Sequence, residues 1–336
     1  MQLPVNTDAP QNIPWMEIRP FRTIDSQLRR VREYIRQSLV TAATANELVP
    51  LYRHLSERNG KMIRPGLVLL VGKCVGQIIE EHLRVAAMVQ MIHDATLLHD
   101  DVVDEGENRR GVPTVNCLWG NESAVLLGDF VLSRVFKMAA DLESAVAQVL
   151  AQTAVRVCEG ELRQVMQRRN WQLGEAEYID IITDKSASFF SGCCRLGAML
   201  AQGPQGQIEA ASSYGLHAGI AFQIMDDVLD ITGDEGRMGK RAQSDFDNSK
   251  PTLAIIHLLG TARAREREAI HRMLKSPADS KRELAAMLAR NGSLEYARQR
   301  ACHYVGKAIE AIKALPAGEA RDALVETARL MADRTT

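Results

Sequence analysis

One spelling recurs in this chain: Asp100-Asp101-Val102-Val103-Asp104 and, later, Asp226-Asp227-Val228-Leu229-Asp230. The first copy closes an apolar stretch with neither glycine nor proline, and the second closes another run of helical period. In a helix, positions i and i+4 share a face, so Asp100 and Asp104 point the same way. Acids packed this closely repel one another unless a cation sits among them. A single such cluster reads equally well as a solvated patch. Two copies constrain the fold far more, because they ask for two helix ends facing each other with their carboxylates converging. Oxygen-only donors suit a hard divalent cation, and Mg2+ typically joins one or two carboxylates to substrate phosphates. The pair therefore reads as a metal–diphosphate site.

The rest of the chain agrees with helices. From Phe21 onward the apolar spacing is helical rather than alternating, and no strand-like alternation of useful length occurs. Helices are predicted over 22–43, 47–57, 64–76, 80–104, 122–141, 144–168, 175–201 and 206–232. Shorter ones follow over 251–260, 262–275, 279–290, 293–314 and 318–333. Breakers such as Asn59-Gly60, Gly111-Val112-Pro113 and Gly203-Pro204 separate them. The expected architecture is an all-α bundle around a central cavity. Length alone would suggest about two domains. With no Gly/Ser-rich or Pro-rich linker, we expect an irregular arm over 1–20, carrying Pro4, Pro10, Pro14 and Pro20, and one helical domain over 21–336.

Charge and cysteines exclude other classes. Lys plus Arg number 41 against 42 acids, so no basic field argues for nucleic acid. The six cysteines form no CxxC pair, and Cys193-Cys194 adjoin in an apolar helix, as buried thiols of a reducing compartment would. No apolar leader and no stretch of about 18 apolar residues appears, so the expected location is cytoplasmic, with no transmembrane segment.

The paired DDxxD motifs resemble those of the trans-isoprenyl diphosphate synthase (polyprenyl synthetase) family. The similarity runs from about Leu48 to Arg334, and its pattern is closest to the bacterial long-chain, octaprenyl-type members. It implies an isoprenoid synthase-type bundle around an apolar cavity and a homodimer. It also implies Mg-dependent head-to-tail condensation of isopentenyl diphosphate with an allylic diphosphate. About three Mg2+ per site would bridge the two clusters. Asp100, Asp104 and Asp226 would be ligands, with Asp101, Asp227, Asp230 and Lys185 completing the catalytic set.

The basic residues follow the same pattern. Asn59-Gly60-Lys61-Met62-Ile63-Arg64-Pro65 is a turn running into a helix start, with Pro65 suited to a first-turn position. It resembles the family's Gly-Gly-Lys-Arg-x-Arg-Pro box, which assigns Lys61 and Arg64 to isopentenyl diphosphate. Asn59 here replaces a glycine and Met62 a basic residue. His93 lies two helical turns before Asp100, and the resemblance assigns it to isopentenyl diphosphate rather than to the core. His99 is read as structural. Of Arg109-Arg110, the first is assigned to the allylic diphosphate and the second to isopentenyl diphosphate, by forks that grip phosphate oxygens bidentately. Lys185, Ser186 and Gln223 match residues at the allylic diphosphate. Gly160-Glu161-Leu162-Arg163-Gln164 matches a Gly-Glu-x-x-Gln segment, a packing and polar-network site with no role derivable from sequence. Lys240 and Lys250 match two lysines that close over the diphosphate. The usual proline after the first is absent, and Ser249 stands where many members have glycine.

Three rivals are weaker. A class I terpene cyclase usually mixes Asn, Ser/Thr and Glu in its second motif, whereas this second motif is full. An HD-type phosphohydrolase, suggested by His99-Asp100, needs further histidine ligands. A non-catalytic subunit tends to lose aspartates, and none is missing. For chain length, Thr96 and Ala95 lie four and five positions before Asp100, about one 5.4 Å turn below the metal. Both are small, where short-product relatives carry bulky aromatics. Met91, Ile92 and Met88 lie deeper and would be an adjustable floor or plain packing. A long-chain product is expected, with geranylgeranyl diphosphate as runner-up.

Overall fold

A computed structural model describes residues 18–41, 45–56, 60–109, 111–232, 249–275 and 277–333. Asn59, Arg110 and Lys240, singled out above, lie outside these residues. Helices α1 (Asp25–Arg36), α2 (Val49–Ser56), α3 (Ile63–Val75) and α4 (Glu80–Val103) lead to a small antiparallel hairpin. Its strands are β1 (Asn108–Arg109) and β2 (Val112–Pro113). Then come α5 (Val115–Trp119), α6 (Asn121–Ala139), α7 (Ser144–Met166), α8 (Glu175–Ile182), α9 (Ser188–Leu200) and α10 (Gln205–Thr232). The remainder is α11 (Leu253–Thr261), α12 (Ala264–Lys275), α13 (Pro277–Arg290), α14 (Ser293–Ala311) and α15 (Glu319–Ala332).

The all-α expectation holds, and its departures have local causes. The hairpin and α5 are too short to show periodicity. The helix expected over 175–201 is interrupted by a π turn at Thr183–Ala187 between α8 and α9. Packing explains why this turn persists. A Cβ at Gly160 would come 2.1 Å from the Lys185 backbone nitrogen, and one at Gly219 would come 2.6 Å from the Ala187 Cα. Bare glycines thus let α7 and α10 press on the turn from two sides.

Helix α10 packs chiefly on α9 and α14, while α4 packs on α6, α3 and α9. Phe190, Tyr214, Leu67 and Met88 are fully buried in the shared hydrophobic cluster. Each buried side chain of this size contributes about 1.5–3 kcal/mol. Helices α3 and α4 are buried over most of their surface, which is why their apolar positions run nearly all round rather than as one stripe.

Candidate active site

The first aspartate motif ends α4, and its three carboxylates have three different environments. Asp101 is 3% exposed, and its Oδ1 accepts from Arg109 Nε at 2.8 Å and a terminal guanidinium nitrogen at 2.7 Å. The loop carrying Arg109 is pinned by side chains. Asn116 Nδ2 donates to the carbonyls of Asp101 (3.2 Å) and Gly106 (3.0 Å), and Thr114 Oγ1 donates to Gly106 O (2.7 Å). Asp104 meets two cations, with Arg168 at 2.6 Å on Oδ1 and Lys250 at 3.0 Å on Oδ2. Asp100 is half-buried. Desolvation pushes its carboxyl up to about 6, the charges of Glu161 and Asp104 push the same way, and Lys185 and Arg109 oppose them.

The second motif lies near the end of α10, and two neutral side chains help to anchor it. Asp227 is buried, with Tyr178 donating its hydroxyl to Oδ2 at 2.6 Å and Gln223 donating Nε2 to Oδ1 at 2.8 Å. Ser186 Oγ donates in turn to Gln223 Oε1 at 2.6 Å. This gives Ser186 and Gln223 a job in orienting Asp227 as well as their expected place at the diphosphate. Asp226 is exposed and Asp230 half-buried.

The π turn joins the two motifs. Ser186 reaches the second through Gln223, while its neighbour Lys185 sits close enough to the first to lower the Asp100 titration. Lys185 Nζ is held by Glu161 at 2.7 Å and Gln164 Oε1 at 2.6 Å. That explains the Gly-Glu-x-x-Gln spelling. Gly160 gives the turn room, and Glu161 and Gln164 aim its ammonium.

The donor chemistry fits Mg2+. The acids are oxygen-only, and Asp100 is held at a cost that a nearby cation would remove. Among the described residues, no three acidic, histidine or cysteine side chains cluster tightly enough to hold one ion by themselves.

Comparison with known proteins decides the class. The polyprenyl synthetase profile matches residues 45–290, well over half of the chain. The chain belongs to the polyprenyl synthetase family. The octaprenyl diphosphate synthase of Haemophilus influenzae is 36% identical over 301 residues, covering 87% of this chain and 91% of that one. A decaprenyl diphosphate synthase from Rhodobacter capsulatus is 34% identical with a TM-score of 0.87, over 95% of this chain and 99% of that one. A polyprenyl synthase from Caulobacter crescentus, complexed with calcium and isoprenyl diphosphate, is 31% identical with a TM-score of 0.89. It covers 95% of this chain and 98% of its own.

In this polyprenyl synthetase Arg64 lies in the first turn of α3, and its guanidinium carbon is 4.9 Å from the Phe189 ring centre and 5.1 Å from that of Phe190. Such cation–π contacts fix where the fork points. Lys61 is exposed and His93 half-buried. Met62 takes a left-handed conformation (φ 51°) that starts α3, with its side chain 7% exposed in the core. The lost basic residue has become packing. His99 Nε2 lies 3.2 Å from Val125 O and 3.4 Å from Asp129, a structural role as expected. Cys193 and Cys194 are buried free thiols, and burial pushes Cys193 up to about 12. Sequence reasoning missed Tyr178 and Arg168. Tyr178 carries no local signal, and the Arg168-Arg169 pair reads as an ordinary solvated turn.

Proposed function

We propose that the protein condenses isopentenyl diphosphate with an allylic diphosphate, head to tail, to give an all-trans polyprenyl diphosphate. The observation that carries this reading is the π turn, where Ser186 reaches the second motif through Gln223 while Glu161 and Gln164 hold the Lys185 ammonium. Mg2+, held by Asp100, Asp104 and Asp226, would neutralise diphosphate charge as the allylic C–O bond breaks. Lys185, aimed by Glu161 and Gln164, stabilises the same developing charge, as do Lys250, Lys240 and Arg109. Lys61, Arg64, His93 and Arg110 hold the isopentenyl partner so that its double bond faces the allylic carbon. The departing diphosphate takes the proton that is lost. Ser186 and Gln223 keep the second motif in register.

The product is long-chain. Ala95 is fully buried and small, and Met91, Ile92 and Met88 one and two turns deeper are buried too, which supports a floor without the aromatics of short-chain members. The enzyme works as a homodimer. Val155, Leu162 and Met166 recur on one exposed face of α7, with Leu126 and Phe136 exposed on α6, a pattern suited to a second copy. It works in the cytoplasm, where the six free cysteines remain reduced; no helix of the described residues is long and apolar enough to cross a membrane. The experiment is incubation with labelled isopentenyl diphosphate, several allylic primers and Mg2+, followed by sizing of the products. No incorporation overturns the reaction, and arrest at farnesyl diphosphate overturns the long-chain reading. Ala95→Phe should shorten the product while condensation continues. Light scattering tests the dimer, and cell fractionation the location.

A further inference from the structure

Both oxygens of Asp104 meet protein cations from distant stretches of chain. Arg168 follows α7, and Lys250 precedes α11. The two suppliers are themselves joined, since Arg169 N donates to Ser249 O at 2.9 Å. Arg169 and Ser249 both hold left-handed backbone conformations, φ 63° and 56°, that non-glycine residues rarely adopt. Strain at both partners of one hydrogen bond marks a junction that the surrounding structure enforces. The Lys250 side chain is only 6% exposed and that of Arg168 27%, so neither charge is fully solvated away from the carboxylate.

We propose that Arg168 is a positioning residue that makes metal binding at Asp104 depend on diphosphate. This inference rests on the reading of the site as a Mg–diphosphate centre. With no diphosphate bound, Arg168 and Lys250 neutralise Asp104 and repel a further cation from it. Diphosphate brings negative charge that the two cations then share, so they strengthen metal binding only once the substrate head group is present. Metal is thereby admitted together with the group it must activate, and a bare ion pair of metal and Asp104 is disfavoured. Lys250 has an expected place at the diphosphate. Arg168 has none, and its guanidinium is the cation closest to Asp104 among the described residues.

Calorimetric titration of the full-length protein with Mg2+ alone, and with Mg2+ in the presence of inorganic diphosphate, tests this. Arg168→Gln should tighten binding of Mg2+ alone by roughly three- to tenfold, the effect of deleting one partly screened unit charge near the ion. It should also reduce the factor by which diphosphate tightens Mg2+. Arg168→Lys should restore the wild-type factor to within about twofold, and Arg169→Gln, whose side chain is exposed, should leave it unchanged. Unchanged or weaker Mg2+ binding in Arg168→Gln overturns the inference. An equal effect from Arg169→Gln also overturns it, because general charge rather than the Asp104 contact would then be responsible. Should Arg168→Gln fail to fold, shown by loss of its thermal transition, Arg168→Met carries the test. Tighter binding of Mg2+ alone with a smaller diphosphate factor in Arg168→Met supports the proposal, and wild-type values for both overturn it. If wild-type protein binds no Mg2+ even with diphosphate, the Mg–diphosphate reading itself fails, an outcome distinct from every result above.

Discussion

The two aspartate motifs share a spelling and differ in how they are anchored. In each, the middle acid is buried and bound by protein donors. In the first motif the donor is a cation, Arg109, presented by a hairpin of two-residue strands. In the second, two of the donors are neutral, Tyr178 and Gln223, presented by packed helices. The outer acids are less buried than the inner one in both motifs. We propose that a DDxxD motif is two devices in one, an outer pair that meets ligand and an inner acid that fixes the helix end. The first motif's inner device also carries a residue assigned to substrate, so its anchor and its chemistry are coupled. The second motif's anchor includes Gln223, which Ser186 orients in turn.

The strongest test of the division is to remove an outer acid from each motif. Asp100→Ala and Asp226→Ala should each lower turnover by about two or more orders of magnitude with the fold retained, as loss of transition-state charge stabilisation does. Full activity of either variant, or of wild type in EDTA, breaks the assignment. Next come the inner acids, where the motifs should part company. Asp101→Asn leaves a partly buried guanidinium without its counter-charge and should cost about 2–3 kcal/mol, discounted for the exposed part of Arg109. Asp227→Asn keeps an acceptor for Tyr178 but turns an NH2 toward Gln223 or forces a flip, a loss of about 1 kcal/mol. Chemical denaturation reads both numbers. Equal or reversed costs would show that the two anchors are equivalent after all.

A third, smaller effect has the opposite sign. Asp100 is raised from 3.8 to about 6 in the folded, metal-free protein. A carboxylate whose folded value lies above its unfolded one binds more protons when folded. It thus penalises the fold above about pH 6, and the penalty is relieved as pH falls through 6 toward 4. Removing the charge should stabilise the metal-free protein at pH 7, by about 1–2 kcal/mol after allowance for partial exposure. Asp100→Asn should therefore melt higher than wild type in EDTA while being inactive, with the gap closing by pH 4. An Asn variant that melts lower at pH 7 would contradict this. Smallest is Ser249→Gly, which removes a left-handed penalty of about 1 kcal/mol. It should stabilise the junction between the two cation suppliers of Asp104 with little change in turnover. A destabilised Gly variant would mean that the Ser249 side chain contributes more than its backbone costs.

Much of this was legible in the sequence where the signal was local. Helix period, breakers and carboxylate spacing are properties of short windows, so α4, α10 and the outer acids could be read directly. The Lys185-Ser186 and Lys61/Arg64 assignments came by resemblance, and of these Ser186 is tied to the second motif through Gln223. The losses were contacts between distant stretches. Asp104 and Arg168 are separated by 64 residues and Lys250 from Asp104 by 146, with no periodicity linking them. Glu161 and Gln164 were visible as a motif, yet their partner Lys185 lies 21 residues beyond Gln164 across a helix interface. Nothing in the spelling distinguishes Asp101 from Asp100, because the difference arises from which side of the helix the hairpin later covers.

The π turn at Thr183–Ala187 has one more consequence, which concerns rotational phase. A π turn is an α-helix holding one surplus residue, and a residue advances an α-helix by about 100°. Helices α8 and α9 thus form one rod whose two halves are clocked differently. Tyr178 points at Asp227 on one setting, and Phe189 and Phe190 meet Arg64 on the other. Deleting Thr183 or Ala187 would bring the halves back into step while leaving Lys185 and Ser186 in the chain. Such a deletion should leave helix content nearly intact yet swing one set of side chains a quarter-turn or more out of alignment.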